Sequence, residues 1–199
     1  LETKFVAANT LMKLEKEQDN LFTHPDIEQK KTELKRVRHA YFEARSPQRK
    51  AKCRTEDKRL REALAALLMQ ENELQPATAK MLAAWDPYDQ NASAPFFDPE
   101  WMFGLNEGVS IVIGNPPYVE HKKLKPFSAD LKARYNTYSG TGDLYVYFYE
   151  HAVLMLRPDG VLAFISSNKF MRTSYGMKLR QLLSSMDILS LAEFADVHV

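Results

Sequence analysis

Val109-Ser110-Ile111-Val112-Ile113-Gly114-Asn115-Pro116-Pro117-Tyr118 is the stretch on which the reading of this chain turns. Val109 to Ile113 is an apolar run interrupted only by Ser110 and stopped by Gly114, the pattern of a strand buried on both faces of a parallel sheet. Prolines cannot continue a central strand, and Asn favours loops, so Asn115-Pro116-Pro117-Tyr118 leaves the strand as a turn. A turn, however, requires neither two consecutive prolines nor an aromatic after them. With ordinary residue frequencies the tetrapeptide arises by chance in a chain this long on the order of once in a thousand. In an open α/β sheet, ligands sit outside the carboxyl ends of the strands, and Asn115 falls there.

Downstream, strand and helix patterns alternate. A helix is expected from Asp143 to Arg157, with Leu144, Phe148, Ala152 and Met155 on one side and Pro158-Asp159-Gly160 ending it. Val161 to Ile165 reads as a second buried strand. A helix around Tyr175–Met186 shows Leu179, Leu182, Leu183 and Met186, and Ile188 to Leu191 begins a last strand. The alternation implies an α/β fold with a parallel sheet covered on both faces.

Upstream, Phe5 to Ala8 reads as a short buried strand ending at Asn9-Thr10. Residues 14–85 are helical and rich in charge. Ile27, Leu34, Val37, Tyr41 and Ala44 form the seam of one amphipathic helix, which Ser46-Pro47 breaks. A second helix is expected to begin near Thr55 and to carry Leu60, Leu64, Leu67 and Leu74, making an antiparallel hairpin. Residues 28–61 hold 13 Lys/Arg against 5 Asp/Glu, while the net charge of the whole chain is only +1. Such an excess fits either a solvated hairpin surface or contact with nucleic acid. Between residues 86 and 108, loop signals mix with aromatics, which together with Trp85 read as hydrophobic pins and not as chemistry.

Several classes are excluded by what is missing from the composition. No apolar run approaches a membrane span, and Leu1-Glu2-Thr3-Lys4 resembles no signal peptide. Cys53 is the single cysteine, so an internal disulfide framework is ruled out and a reducing cytoplasmic setting is expected. The five histidines pair with no cysteine at metal-ligand spacing, so no metal site is expected. A start at Leu1, without Met, points to a piece of a longer polypeptide.

The chemistry suited to Asn115 and Pro116 is that of a conjugated exocyclic amine. Such a nitrogen is a poor nucleophile because its lone pair is delocalised into the ring. An Asn side-chain oxygen and a carbonyl on the φ-restricted backbone of Pro116 can accept its two hydrogens and free that pair. Tyr118 offers a flat face for an extruded base, a contact worth about 1–3 kcal/mol.

At Gly114-Asn115-Pro116-Pro117-Tyr118 the chain resembles the S-adenosylmethionine-dependent amino-methyltransferases. More closely, it resembles the DNA adenine-N6 methyltransferases of large restriction-modification enzymes (type IIG) and of related phage-defence methylases. Leu1 to Leu11 is similar to the preceding strand and cofactor-adenine motif of that family. Gly142-Asp143-Leu144-Tyr145, Pro158 to Ile165, and Asn168-Lys169-Phe170 resemble its next helix, strand and loop.

The resemblance implies part of a Rossmann-like methyltransferase sheet. Residues 1–13 would belong to the core, 14–88 would be a helical hairpin insertion, and 89–199 the catalytic half. It makes Asn115, Pro116, Pro117 and Tyr118 catalytic, and Asn9, Asn115 and Asp143 cofactor-binding. Asn9 otherwise reads as an ordinary strand end, and Asp143 as a helix N-terminus. The implied partners are S-adenosylmethionine and double-stranded DNA with a flipped adenine, with nuclease or target-recognition domains in the same polypeptide. The family's Gly-rich cofactor loop precedes the segment matched here, so the 199 residues alone are expected neither to bind S-adenosylmethionine nor to methylate DNA. Asn-Pro-Pro-Tyr is also shared with methyltransferases of RNA amines and of protein glutamine. A non-catalytic interaction module built on the basic hairpin is the remaining alternative.

Overall fold

The computed structural model describes residues 4–14 and 24–194. The chain divides into two compact units, Leu1–Asn106 and Glu107–Val199.

In the first unit, β1 (Ala7–Ala8) pairs in parallel with β2 (Ser93–Ala94), and Lys13 bridges to Phe97 in the same sense. The expected strand from Phe5 is thus shorter, because only its last residues find a partner; Phe5 itself is exposed. Between these strands lie α1 (Pro25–Glu43), α2 (Pro47–Gln70) and α3 (Pro76–Ala84), followed after β2 by the short α4 (Pro99–Phe103). Arg38 meets Asp57, and Arg54 meets Tyr41, so numbers rise along α1 as they fall along α2 and the hairpin is antiparallel.

Ser46-Pro47 separates the two helices as expected, but the second begins at once and not near Thr55. Proline at the first helical position has no N–H to waste, and the Ser46 hydroxyl accepts from Arg49 N at 3.3 Å. Ile27, Leu34 and Tyr41 of α1 and Leu60, Leu64 and Leu68 of α2 are buried, as are Leu82, Trp85, Phe96 and Trp101. The aromatics after α3 therefore do pin an irregular segment onto the helices.

One polar cluster lies inside this unit. The carboxylate of Asp57, fully buried, accepts from Arg38 Nε at 2.8 Å and from Arg61 Nε at 2.6 Å. The two guanidiniums go on to donate to the backbone carbonyls of Trp101 and Met102 (Arg38) and of Ala83 and Trp85 (Arg61). Asp57 thereby links α1 and α2 to the ends of α3 and α4.

In the second unit, β3 (Val109–Gly114) is followed by the short helices α5 (His121–Leu124) and α6 (Ser128–Arg134), then α7 (Leu144–Met155), β4 (Leu156–Phe164) and α8 (Met177–Ser184). β3 and β4 pair in parallel, Ile111 with Val161 and Ile113 with Ala163, so the β–α–β reading holds. Three expectations change. The helix stops at Met155, and Pro158-Asp159-Gly160 lies inside the span of β4, not as a helix end. Val109 pairs with Leu156 and Ile111 with Val161, so the intervening residues bulge out, with Asp159 at φ 62°. Gly160 fits there because a Cβ would lie 2.9 Å from Arg157 O. β3 is not buried on both faces: Ile111 and Ile113 are 60% and 79% exposed, since α7 covers only the other side. Finally, Ile188 to Leu191 forms no strand, because no neighbouring strand among the described residues offers it a ladder. Among the described residues the folded elements amount to a mixed α/β arrangement with small parallel sheets, and no helix is long and apolar enough to cross a membrane.

Asp57→Ala is expected to destabilise the helical unit by about 3–5 kcal/mol, because it leaves two buried guanidiniums unpaired. Glu62→Ala, which loses only the exposed 3.9 Å pair with Lys58, should cost less than about 1 kcal/mol. Urea denaturation followed by circular dichroism measures both. Equal losses would mean that Asp57 does not hold the unit together.

Candidate active site

The site begins where the β3–β4 ladder ends. Ile165 N donates to Gly114 O at 3.0 Å, the last rung beyond the paired strands. Gly114 permits this closure, since a Cβ would come 3.0 Å from the Phe164 ring. Beyond it Pro116 and Pro117 have no N–H to donate, so the chain must leave the sheet. Asn115 is exposed, and its side-chain amide makes no hydrogen bond among the described residues. Pro116 is buried and Pro117 exposed.

Tyr118 is 56% exposed, and its hydroxyl donates to Ile165 O at 3.3 Å. Its ring meets the edge of Tyr145 at 6.3 Å between centroids. The loop is then fastened to α7: Leu144 N donates to Val119 O at 2.9 Å. Asn115 and Tyr118 are therefore carried on a loop held at both ends, by β4 and by the start of α7.

Asp143 occupies the N-cap position of α7, but its carboxylate makes no capping hydrogen bond. Its Oδ2 instead accepts from the Tyr175 hydroxyl at 3.3 Å. The Tyr175 hydroxyl oxygen lies 3.1 Å from the Tyr145 hydroxyl, and since Tyr175 gives its proton to Asp143, Tyr145 donates to Tyr175. A polar chain thus runs from Asp143 through Tyr175 to Tyr145, whose ring abuts Tyr118. Sequence periodicity gave no sign of Tyr175, which only marked the start of an expected helix.

The rest of α7 works in two directions. Tyr149 bonds Ser166 at 2.7 Å and packs on Phe164 and Phe170, behind the strand ends. Tyr147 donates to Ser139 O at 3.0 Å, and the buried Glu150 carboxylate accepts from Asn136 N and Thr137 N at 2.9 and 2.7 Å. Glu150 was not singled out from the sequence; a carboxylate in an aromatic helix with no nearby cation was the available signal.

Asn9 belongs to the first unit. It is exposed, with its backbone N–H bonded to Ala94 O at 2.8 Å and its side chain without a hydrogen bond among the described residues. The geometry that can be read as a site is therefore that of Asn115, Tyr118 and Asp143 in the second unit.

Residues 9–199 match the Eco57I restriction-modification methylase family. The chain belongs to that family. Among its relatives, the Type II methyltransferase M.XhoI of Xanthomonas vasicola is 37% identical over 97 residues, 48% of this chain and 17% of that protein. The Type II methyltransferase M.PaeR7I of Pseudomonas aeruginosa is 30% identical over 123 residues, 61% and 20% of the two chains. The Type II restriction enzyme and methyltransferase RM.Eco57I of Escherichia coli is 34% identical over 89 residues, 43% of this chain and 9% of that protein. The matched stretch spans a fifth or less of these relatives.

Burial pushes the phenols of Tyr135 and Tyr147 up to about 12 and raises those of Tyr145 and Tyr149; at Tyr145 the hydrogen bond with Tyr175 adds to the effect. The folded chain therefore holds these protons above the ordinary value of 10.0. The resulting stability is fully present below about pH 10 and is lost as pH rises toward about pH 12. Denaturant midpoints should thus fall steeply over that window, and less steeply in Tyr147→Phe. A flat profile would show that the α7 tyrosines are not buried as phenols.

Proposed function

We propose that this chain is the catalytic portion of a DNA methyltransferase acting on the N6 amino group of adenine in a restriction-modification or phage-defence system. Its carrying observation is the exposed, unpaired amide of Asn115 at the carboxyl end of β3, three residues from an exposed Tyr118 ring held by Ile165 and Tyr145. In this reading β3, α7 and β4 are consecutive elements of a Rossmann-like sheet. Residues 14–88 are a helical insertion between the core segments 1–13 and 89–199.

The donor set suits the group transferred to. Asn115 Oδ1 accepts one hydrogen of the adenine amine and the Pro116 carbonyl accepts the other, which draws the nitrogen toward tetrahedral geometry and localises its lone pair. Tyr118 stacks on the base once it has left the duplex, where its ring is already exposed and its hydroxyl tethered. Asp143 has one hydrogen bond to its carboxylate and lone pairs to spare, and Asn115 has a free amide NH2. Asp143 fits the cationic part of S-adenosylmethionine and Asn115 its polar part; Asn9, in the first unit, is proposed separately as a cofactor-binding residue from the family motif it stands in. When bound, S-adenosylmethionine supplies a methyl carbon already activated on a sulfonium, so positioning outweighs the need for a strong base. Double-stranded DNA is the macromolecular partner, and nuclease or target-recognition segments of the same polypeptide complete the system.

In the full-length polypeptide carrying this chain, Asn115→Ala should abolish methyl transfer, about a thousandfold in kcat, with the fold retained and cofactor affinity lowered only by the loss of one amide contact. Tyr118→Ala should weaken transfer more than Tyr118→Phe, because stacking needs the ring. Near wild-type turnover in Asn115→Ala would overturn the assignment. Equal damage from Phe and Ala at position 118 would replace stacking by a role for the hydroxyl on Ile165 O.

A further inference from the structure

The basic excess of the helical hairpin is not spread evenly once partners are assigned. Along the two helices, Lys31 is held by Glu28 and Glu100, Lys35 by Gly104 O, and Arg38 and Arg61 by Asp57. Arg59 is held by Glu56, Lys58 lies beside Glu62 and Lys30 sits in the field of Glu56; Arg36 is exposed with no partner among the described residues, but stands singly on α1. The turn between α1 and α2 is different. From Ala44 to Thr55 the sequence carries Arg45, Arg49, Lys50, Lys52 and Arg54 and no acidic residue. Nearby Glu43 is taken by His39 at 3.3 Å.

Within the turn the cations divide into two sets. Lys50 and Arg54 lie over the Tyr41 ring, and Arg54 also over Tyr88, so these two serve the packing of the hairpin. Arg45, Arg49 and Lys52 are exposed, and their charged ends have no partner among the described residues. Arg49 and Lys52 are three residues apart on α2, one turn along the same face. They also stand in the first two turns of a helix whose first turn has no acidic residue, where the positive end of the helix dipole disfavours cations. Packing does not require them there, and the local electrostatics oppose them. An external polyanion relieves that opposition.

We propose that the α1–α2 turn, through Arg45, Arg49 and Lys52, binds the phosphate backbone of duplex DNA without reading sequence. The proposal rests on the reading of DNA as the macromolecular partner. Long, exposed, unpaired cations suit phosphates, whose contacts position a duplex and carry no base information. A membrane surface fits less well. A membrane-lying helix sets its basic residues beside an exposed apolar face, and the apolar residues of α2 (Leu60, Leu64, Leu68) are buried in the unit.

The test compares the full-length polypeptide with Arg45→Glu/Arg49→Glu/Lys52→Glu and with the milder Arg45→Gln/Arg49→Gln/Lys52→Gln. A control reverses three exposed cations elsewhere, Arg36, Lys58 and Lys80. Binding is measured to a duplex of G·C pairs only, so the readout does not depend on adenine chemistry. The slope of log Kd against log salt should flatten by about 2 to 3 in both turn variants, since three fewer phosphates are neutralised. Affinity at low salt should fall at least about tenfold, with helicity by circular dichroism unchanged and the control close to wild type. An unchanged slope in the turn variants would overturn the proposal. So would a turn-dependent loss of binding to phosphatidylglycerol vesicles alongside unchanged DNA binding. If adenine methylation were absent and the slope still flattened, the turn would stand while the proposed reaction fell; the reverse result would remove the turn alone.

Discussion

Two missing N–H groups decide where β3 ends and how Asn115 is presented. A parallel ladder continues only while each residue can donate as well as accept, and Pro116 and Pro117 cannot donate. The last rung is therefore Ile165 N to Gly114 O, and the next residue, Asn115, leaves the sheet with its amide uncommitted. The loop that follows does not swing freely. Tyr118 is tied to Ile165 O, and Val119 O takes the first N–H of α7. The end of the ladder thus follows from the prolines, while the Tyr118 ring is placed by Ile165 O and Tyr145.

Much of this was legible in the sequence because it depends on local chemistry. The apolar run from Val109, its stop at Gly114 and the prolines after Asn115 each act within a few residues, as do the helical spacing from Leu144 to Met155 and the apolar run from Val161, which complete the β–α–β unit. Ser46-Pro47 likewise separated α1 from α2, although proline started the second helix where a loop was expected. What escaped the sequence depends on partners. Ile188 to Leu191 has the composition of a strand and no ladder to join. Val109 to Ile113 has that of a doubly buried strand, yet Ile111 and Ile113 face solvent because one face lacks a covering layer. Asp143, Tyr175 and Tyr145 form a hydrogen-bonded chain across 32 residues that no periodicity records.

The first unit rests on a different principle. Its helices bury an apolar seam, but the connection to the irregular aromatic segment is ionic, through Asp57 and two arginines that cap backbone carbonyls. Buried pairs of this kind contribute little net stability, while loss of one partner is costly. Engaging Arg38 and Arg61 internally also changes how the charge of the hairpin is read. A surplus that looked uniform along residues 28–61 resolves into cations engaged inside the unit, exposed cations scattered on the helix faces, and a group of three unpaired cations, Arg45, Arg49 and Lys52, at the turn.

The central claim is that Asn115 and Tyr118 present an adenine amine for methylation. Its most direct test supplies the full-length polypeptide with labelled S-adenosylmethionine and four acceptors: adenine-containing duplex DNA, the same duplex already methylated at N6, RNA, and glutamine-containing protein. Label is expected in N6-methyladenine from the first duplex and not from the second. Label in RNA or in glutamine side chains, with none in DNA, would contradict the account.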